Sequence, residues 1–413
     1  MNRWDVLSIR DFRLLMGAKL LVTLGSQMQS VIVSWQIYQM THDPLSLGLT
    51  GLWEALAFFV FALWAGHLAD RSEKRGIMLQ AQSLFILAVI GLWLLSYGNN
   101  HKPFWIYLLI GVTGIARSFL WSSSVSFLEQ VVPKEIYSKA AAWNVSMWEI
   151  ACIVGPAVGG FLFAWRGALW AYGISILLLI LGLGCSFYLS PRPAVFKEKT
   201  GHFSKELLSG VRFVFRTPVI LSALTLDMFA VLFGGTVALM PIFAEKWGSG
   251  AVGLGFLRAA PSLGAMSMAI YQMVQEPFDK AGKALLWAVT GFGIFMIGFA
   301  LSPTFQIAFL FLVLSGAADN ISVIARASIL QAATPNAMRG RVSSVNGIFI
   351  GSSNEIGVFE SGVAAKWMGT VPSVIFGGCM TLMTVVAVAL YFPALRRLGK
   401  ISDLSPADSE ELV

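Results

Sequence analysis

Long apolar runs recur along the chain, separated by short stretches rich in polar residues, proline and glycine. An α-helix rises 1.5 Å per residue, so about 20 apolar residues cross the roughly 30 Å hydrocarbon layer of a bilayer. Twelve spanning helices are predicted, the first six at 13–38, 46–69, 76–97, 103–127, 137–164 and 168–190. The remaining six fall at 218–241, 250–275, 283–302, 304–328, 342–366 and 372–394. The widest gap, 191–217, holds Pro191, Pro193 and six basic residues, and predicts a linker between two six-helix halves. The expected domains are an N-terminal bundle at 1–190, that linker, a C-terminal bundle at 218–395 and a tail at 396–413. The fold class is all-α, a membrane protein of two pseudo-symmetric bundles.

Composition excludes the soluble alternative. The 413 residues are 56% hydrophobic and 12% charged, with a mean hydropathy of +0.73. Soluble domains carry about 25% charged residues, so this chain lacks the polar surface to cover a body in water. The first run follows Arg3, Arg10 and Arg13, contains Lys19 and continues past Trp35 without a small-residue cleavage site. It is expected to remain as an anchored span and not to act as a cleaved signal. Cys152, Cys185 and Cys379 lie inside apolar runs with no CxxC or Cys/His cluster, so neither a metal site nor a disulfide framework is expected.

The basic residues report topology. With the N-terminus inside, 21 of the 29 Lys and Arg residues fall on the cytoplasmic side and four (Lys102, Arg166, Lys246, Lys366) outside. The positive-inside rule then places both termini in the cytoplasm. It also absorbs the formal net charge of +7 without invoking nucleic acid.

The other four basic residues, Lys19, Arg117, Arg258 and Arg326, lie within predicted spans, as do Glu54, Glu149, Asp227, Asp319, Glu355 and Glu360. A charge at the bilayer centre costs at least roughly 2.5–3.5 kcal/mol, so such groups face a wet or paired interior. The third, sixth, ninth and twelfth spans have no interior charge and are expected at the lipid-facing periphery. The ten ionisable groups are therefore candidates for substrate binding or proton coupling. Pairing that merely joins helices is the bland alternative for any one of them. Trp121, Trp143, Trp148 and Phe119 offer rings for stacking or, more simply, for packing.

The halves also repeat. A shift of 202 places Gly114 on Gly316, Ser126 on Ser328, Pro133 on Pro335, Asn144 on Asn346, Gly155 on Gly357 and Gly160 on Gly362. Arg117 falls on Asp319, so a cation and an anion occupy equivalent mid-span positions, where repeat-built carriers place their sites. Asp319, Ser322 and Arg326 share one helix face by their spacing.

Between the second and third spans the chain reads Gly66-His67-Leu68-Ala69-Asp70-Arg71-Ser72-Glu73-Lys74-Arg75. This resembles the major facilitator signature G-x-L-A-D-R-x-G-R-R, with Glu73 in place of the second glycine. The resemblance implies a cytoplasmic gate in which Gly66 turns the chain, Asp70 and Arg71 order a charge network, and Lys74 or Arg75 reaches Glu129. The matching second-half segment, Gln275-Glu276-Pro277-Phe278-Asp279-Lys280, lacks the pattern. Gly155, Pro156, Gly159 and Gly160 resemble the family's antiporter motif in the fifth span; close helix packing explains them nearly as well.

Asp11-Phe12-Arg13, Gln36 to Thr41 and Pro335 to Arg341 extend the resemblance to the enterobactin-exporter-like branch of that superfamily. It implies a bacterial inner-membrane carrier, monomeric in its bilayer, exchanging a siderophore or drug-like molecule for protons and using no cofactor. A ferric-siderophore or organic-acid importer is the alternative within carriers, and a broad drug pump another. No GxxxxGK[ST], HExxH or GxSxG motif supports an enzyme, and a passive receptor leaves the buried charges unexplained.

Overall fold

Hydrocarbon offers no partner for a free amide, so a chain this apolar satisfies its backbone within helices. The computed structural model describes residues 5–97, 102–193, 203–274, 280–335 and 338–398, and its described regular elements are all helical. The first half holds α1 (Arg10–Thr41), α2 (Pro44–Arg71), α3 (Lys74–Leu95), α4 (Pro103–Val131) and α5 (Tyr137–Phe187). Then follow α6 (Phe203–Arg216), α7 (Pro218–Gly234), α8 (Met240–Lys246), α9 (Gly250–Gln272) and α10 (Ala281–Leu301). The chain continues through α11 (Phe305–Ala333), α12 (Arg339–Met368), α13 (Thr370–Tyr391) and α14 (Pro393–Arg397).

Local chemistry sets the breaks. α1 closes on His42 in the left-handed region (φ 46°), and Pro44 then opens α2, where its missing N–H costs no helical bond. α5 is two helices joined at Gly167, whose φ of 79° and ψ of −178° suit glycine alone. This break gives the expected fifth and sixth spans. α7 ends earlier than the sequence suggests, at Gly234, and the chain continues through a 3₁₀ turn at Thr236–Leu239 into α8.

Eight described segments are long and apolar enough to cross a membrane, and the longest of them contains both arms of α5. α1, α9 and α12 match them in length but are diluted by polar residues, which accommodates the twelve expected crossings. The helices expected at the periphery do expose large apolar side chains. They include Leu87 and Leu94 on α3, Leu177 and Ile180 on the second arm of α5, Trp287 and Ile294 on α10, and Val386 and Leu390 on α13.

The chain divides into two compact units, one of Met1–Glu198 with Met240–Ala259 and the other of Lys199–Leu239 with Ala260–Val413. In the first, Phe12, Leu15, Met78, Phe127 and Leu128 form a buried apolar cluster. Asp11, just ahead of the first predicted span, joins the start of α1 to the chain after α5. Its carboxylate accepts from Ser190 Oγ at 3.0 Å and pairs with Arg192 at 3.2 Å. Burial pushes this carboxyl up, but the bonds from Arg192 and Ser190 outweigh that and hold it below the usual carboxylate range.

In the second unit, Ile220, Leu224, Leu285, Ile329 and Val342 build the core. The predicted linker contributes to it. α6 sends the fully buried Val214 into that cluster, and Arg341 Nη1 donates to Ser209 Oγ at 3.0 Å. The residues 194–202 of the linker and 399–413 of the tail lie outside the described residues.

Candidate substrate site and gating segments

The repeated glycines mark where helices touch. A β-carbon added at Gly114 on α4 would strike the Glu54 carbonyl of α2, and one at Gly316 on α11 would strike the Pro261 carbonyl of α9. Gly155 on α5 abuts Leu24 and Gln27 of α1, while Gly357 on α12 abuts Val231 and Leu232 of α7. Equivalent glycines thus make equivalent helix pairs, which is what a duplicated unit requires.

The segment resembling an antiporter motif is a three-helix junction within the first unit. Gly155 and Gly159 receive α1 at Leu24 and Met28, Gly160 meets the Ala251 carbonyl of α9, and the Pro156 carbonyl meets Gly255. Gly160→Ala is expected to lower stability by about 1–3 kcal/mol through overpacking. Gly173→Ala, in the second arm of α5 with open space around its α-carbon, should leave stability unchanged or raise it. Thermal unfolding of the two variants in detergent measures the difference; equal behaviour would argue against a tight junction.

The first unit holds four of the predicted ions in bonds that join neighbouring helices. Arg117 of α4 forms an ion pair with Glu54 of α2, with side chains 39% and 24% exposed. Gly114 lies one turn before Arg117, so the close approach of α4 at Gly114 aims the guanidinium at Glu54. Arg258 of α9 donates to Ser30 Oγ of α1 at 2.8 Å and also feels the Glu54 charge. Lys19 of α1 donates to Asn144 Oδ1 of α5 at 2.5 Å. Ser30 is a partner that sequence reading misses, because a lone serine in an apolar run carries no signal. Asn144 appears there only as a repeat identity. Cys152, which the sequence places inside an apolar run, accepts from Gln27 Nε2 at 2.8 Å.

The second unit treats its charges differently. Asp227 of α7 and Arg326 of α11 form an ion pair with each side chain only 6% exposed. Ser322, one turn before Arg326, is buried as well, whereas Asp319 on the same helix is partly exposed. Glu149 on α5 and Glu355 and Glu360 on α12 are partly buried.

In the gate-like segment, Lys74 is buried and Arg75 donates to the Phe187 carbonyl at 2.6 Å, its guanidinium 5.6 Å over the Phe187 ring. Arg75 therefore ties α3 to the end of α5, whereas the sequence expectation points it toward Glu129. Glu129 is exposed, with its charge felt by Tyr137. Gly66 has nothing within 4 Å of an added β-carbon, and the side chains of Asp70 and Arg71 lie outside the described residues. Of the four rings singled out, Trp143 packs against the core of the first unit, while Trp121 and Trp148 are exposed. A contact that sequence reading misses lies at the end of α1: Tyr38 Oη donates to Glu245 of α8, with His42 at 3.9 Å from the same carboxylate.

The chain belongs to the transmembrane secretion effector family of major facilitators, whose model matches residues 1–411. It is 28% identical to the enterobactin exporter EntS of Shigella flexneri over 94% of this chain and 92% of that relative. Among solved structures, a bacterial homologue of the human lysosomal transporter Spinster, inward-facing and occupied, superposes with a TM-score of 0.69 at 15% identity. That match covers 93% of this chain and 96% of the other. A POT family transporter holding a thioalcohol-conjugated peptide superposes with a TM-score of 0.73 at 12% identity, over 94% of this chain and 96% of that one. The protein is accordingly a multi-pass membrane transporter with the major facilitator fold, acting on a small molecule, and not an enzyme.

Proposed function

We propose that this transporter exports a small organic anion of the siderophore type, carrying carboxylate or catecholate groups, in exchange for protons. The carrying observation lies in the first unit, where Arg117 pairs with Glu54, Arg258 feels the same carboxylate from its bond to Ser30, and the Arg117–Glu54 pair stays partly exposed. Cations held by helices in a low-dielectric wall attract an anion more strongly than the same groups in water. The enterobactin exporters among its relatives favour outward transport of such a molecule.

In this reading the transporter works by alternating access, as a monomer in the bacterial inner membrane with both termini cytoplasmic. Partly buried acids, Asp319, Glu149 and Glu355 among them, carry the protons. The segment Gly66 to Arg75, with Asp70, Arg71 and Lys74, closes the cytoplasmic end.

Proteoliposomes with an imposed pH gradient test this. Uphill movement of a dihydroxybenzoate probe should stop when an uncoupler collapses the gradient. Undiminished accumulation would rule out proton exchange.

A further inference from the structure

We infer that Glu54 is a built-in competitor for the substrate's negative charge: an incoming carboxylate or catecholate takes its place on Arg117, with Arg258 as the second cation. This rests on the exporter reading above and says how its site discriminates among ligands.

The two intramembrane ion pairs differ in one respect that decides their roles. Asp227 and Arg326 are each 6% exposed, so no ligand or water reaches them without unpacking α7 from α11. Glu54 and Arg117 are 24% and 39% exposed, so the Arg117 guanidinium is reachable while its partner is still in place. An ion pair reached by water is worth about 0–1 kcal/mol, a contribution that an arriving anion can replace almost one for one. A closed pair costs several times more to open.

The backbone under Glu54 cannot move aside, because Gly114 holds α4 against the Glu54 carbonyl. Exchange is therefore a rotation of one side chain. When Glu54 swings away, Arg258 remains anchored to Ser30 and loses its electrostatic neighbour, so the site offers two guanidiniums to one ligand. Arginine's planar fork suits carboxylate and paired catechol oxygens. A neutral ligand gains nothing from the exchange, since it leaves both guanidiniums without a counter-charge. The competitor thus selects for charge and leaves the unloaded site with one uncompensated guanidinium instead of two.

The test is equilibrium binding of dihydroxybenzoate and of uncharged catechol to the purified transporter in detergent. Glu54→Gln should bind dihydroxybenzoate about three- to fivefold more tightly than the unaltered protein does, with catechol affinity unchanged. Glu54→Asp, which withdraws the carboxylate by one methylene, should give a smaller tightening and guards against misfolding of the first variant. Equal tightening toward both probes would mean that the substitution only widened the site, and would overturn the competition. So would weaker or unchanged binding of the anion by a folded Glu54→Gln protein that still transports. If neither the unaltered protein nor any variant binds or moves the anion, the exporter reading itself falls and the competition with it.

Discussion

Replacing Asp227 with alanine should cost the protein its folded state in detergent, by about 3–5 kcal/mol, because it strands Arg326 as an uncompensated charge in a dry contact between α7 and α11. Both helices contribute to the apolar core around Ile220, Leu224 and Ile329, so the charge has no route to water without opening that core. Thermal unfolding and the yield of monodisperse protein read the loss. Removing both charges together, as Asp227→Leu with Arg326→Met, should recover most of the stability, since well-packed apolar side chains commonly replace a buried pair at little cost. Flux in the double variant then separates roles: retained transport marks the pair as a lock between helices, and lost transport in a stable protein gives it a share in coupling. Unchanged stability in the single variant would contradict the dry, paired environment.

Arg117→Ala is expected to have the opposite signature, with the fold intact and transport reduced about 30-fold or more, the usual scale for truncating a charge that meets a charged ligand. Its partner Glu54 is partly exposed, so the carboxylate left behind is not sealed in a dry contact and less stability is lost than at Asp227. Uptake into vesicles, compared with the unfolding temperature of the same preparation, checks both halves of the statement. Full activity would remove Arg117 from the mechanism. The Arg117 and Glu54 substitutions should also act in opposite directions on anion affinity, which a general disturbance of the α2–α4 contact would not produce.

Much of the architecture was legible in the chain because the bilayer imposes one rule on every crossing. An apolar run of fixed length announces a helix, and Gly167, Pro44 and Pro218 announce the breaks. The apolar exposure of the spans without interior ions was legible too, although α2, which carries Glu54, exposes as much through Trp53, Leu56, Val60 and Trp64. The early end of α7 at Gly234 was not, because Gly235 matters through the approach of the Gly357 backbone, more than a hundred residues away. The helix within the linker was hidden for another reason: its seven apolar residues are interrupted by three basic ones and are too few to cross a bilayer, and only the fold shows Val214 entering the buried core.

The ions divide along the same line. That ten ionisable groups sit in spanning helices, and that they need a wet or paired interior, follows from the amino-acid order and the energy of charge in hydrocarbon. Which of them pair, and whether a pair is shut or open, depends on the rotation of each helix about its axis and on how closely its neighbour approaches. Those quantities are set by contacts such as Gly114 against Glu54 and Gly316 against Pro261. Only the folded helices make Asp227–Arg326 a sealed contact and leave Glu54–Arg117 within reach of a ligand, because exposure is a property of the packed neighbourhood and not of the residue.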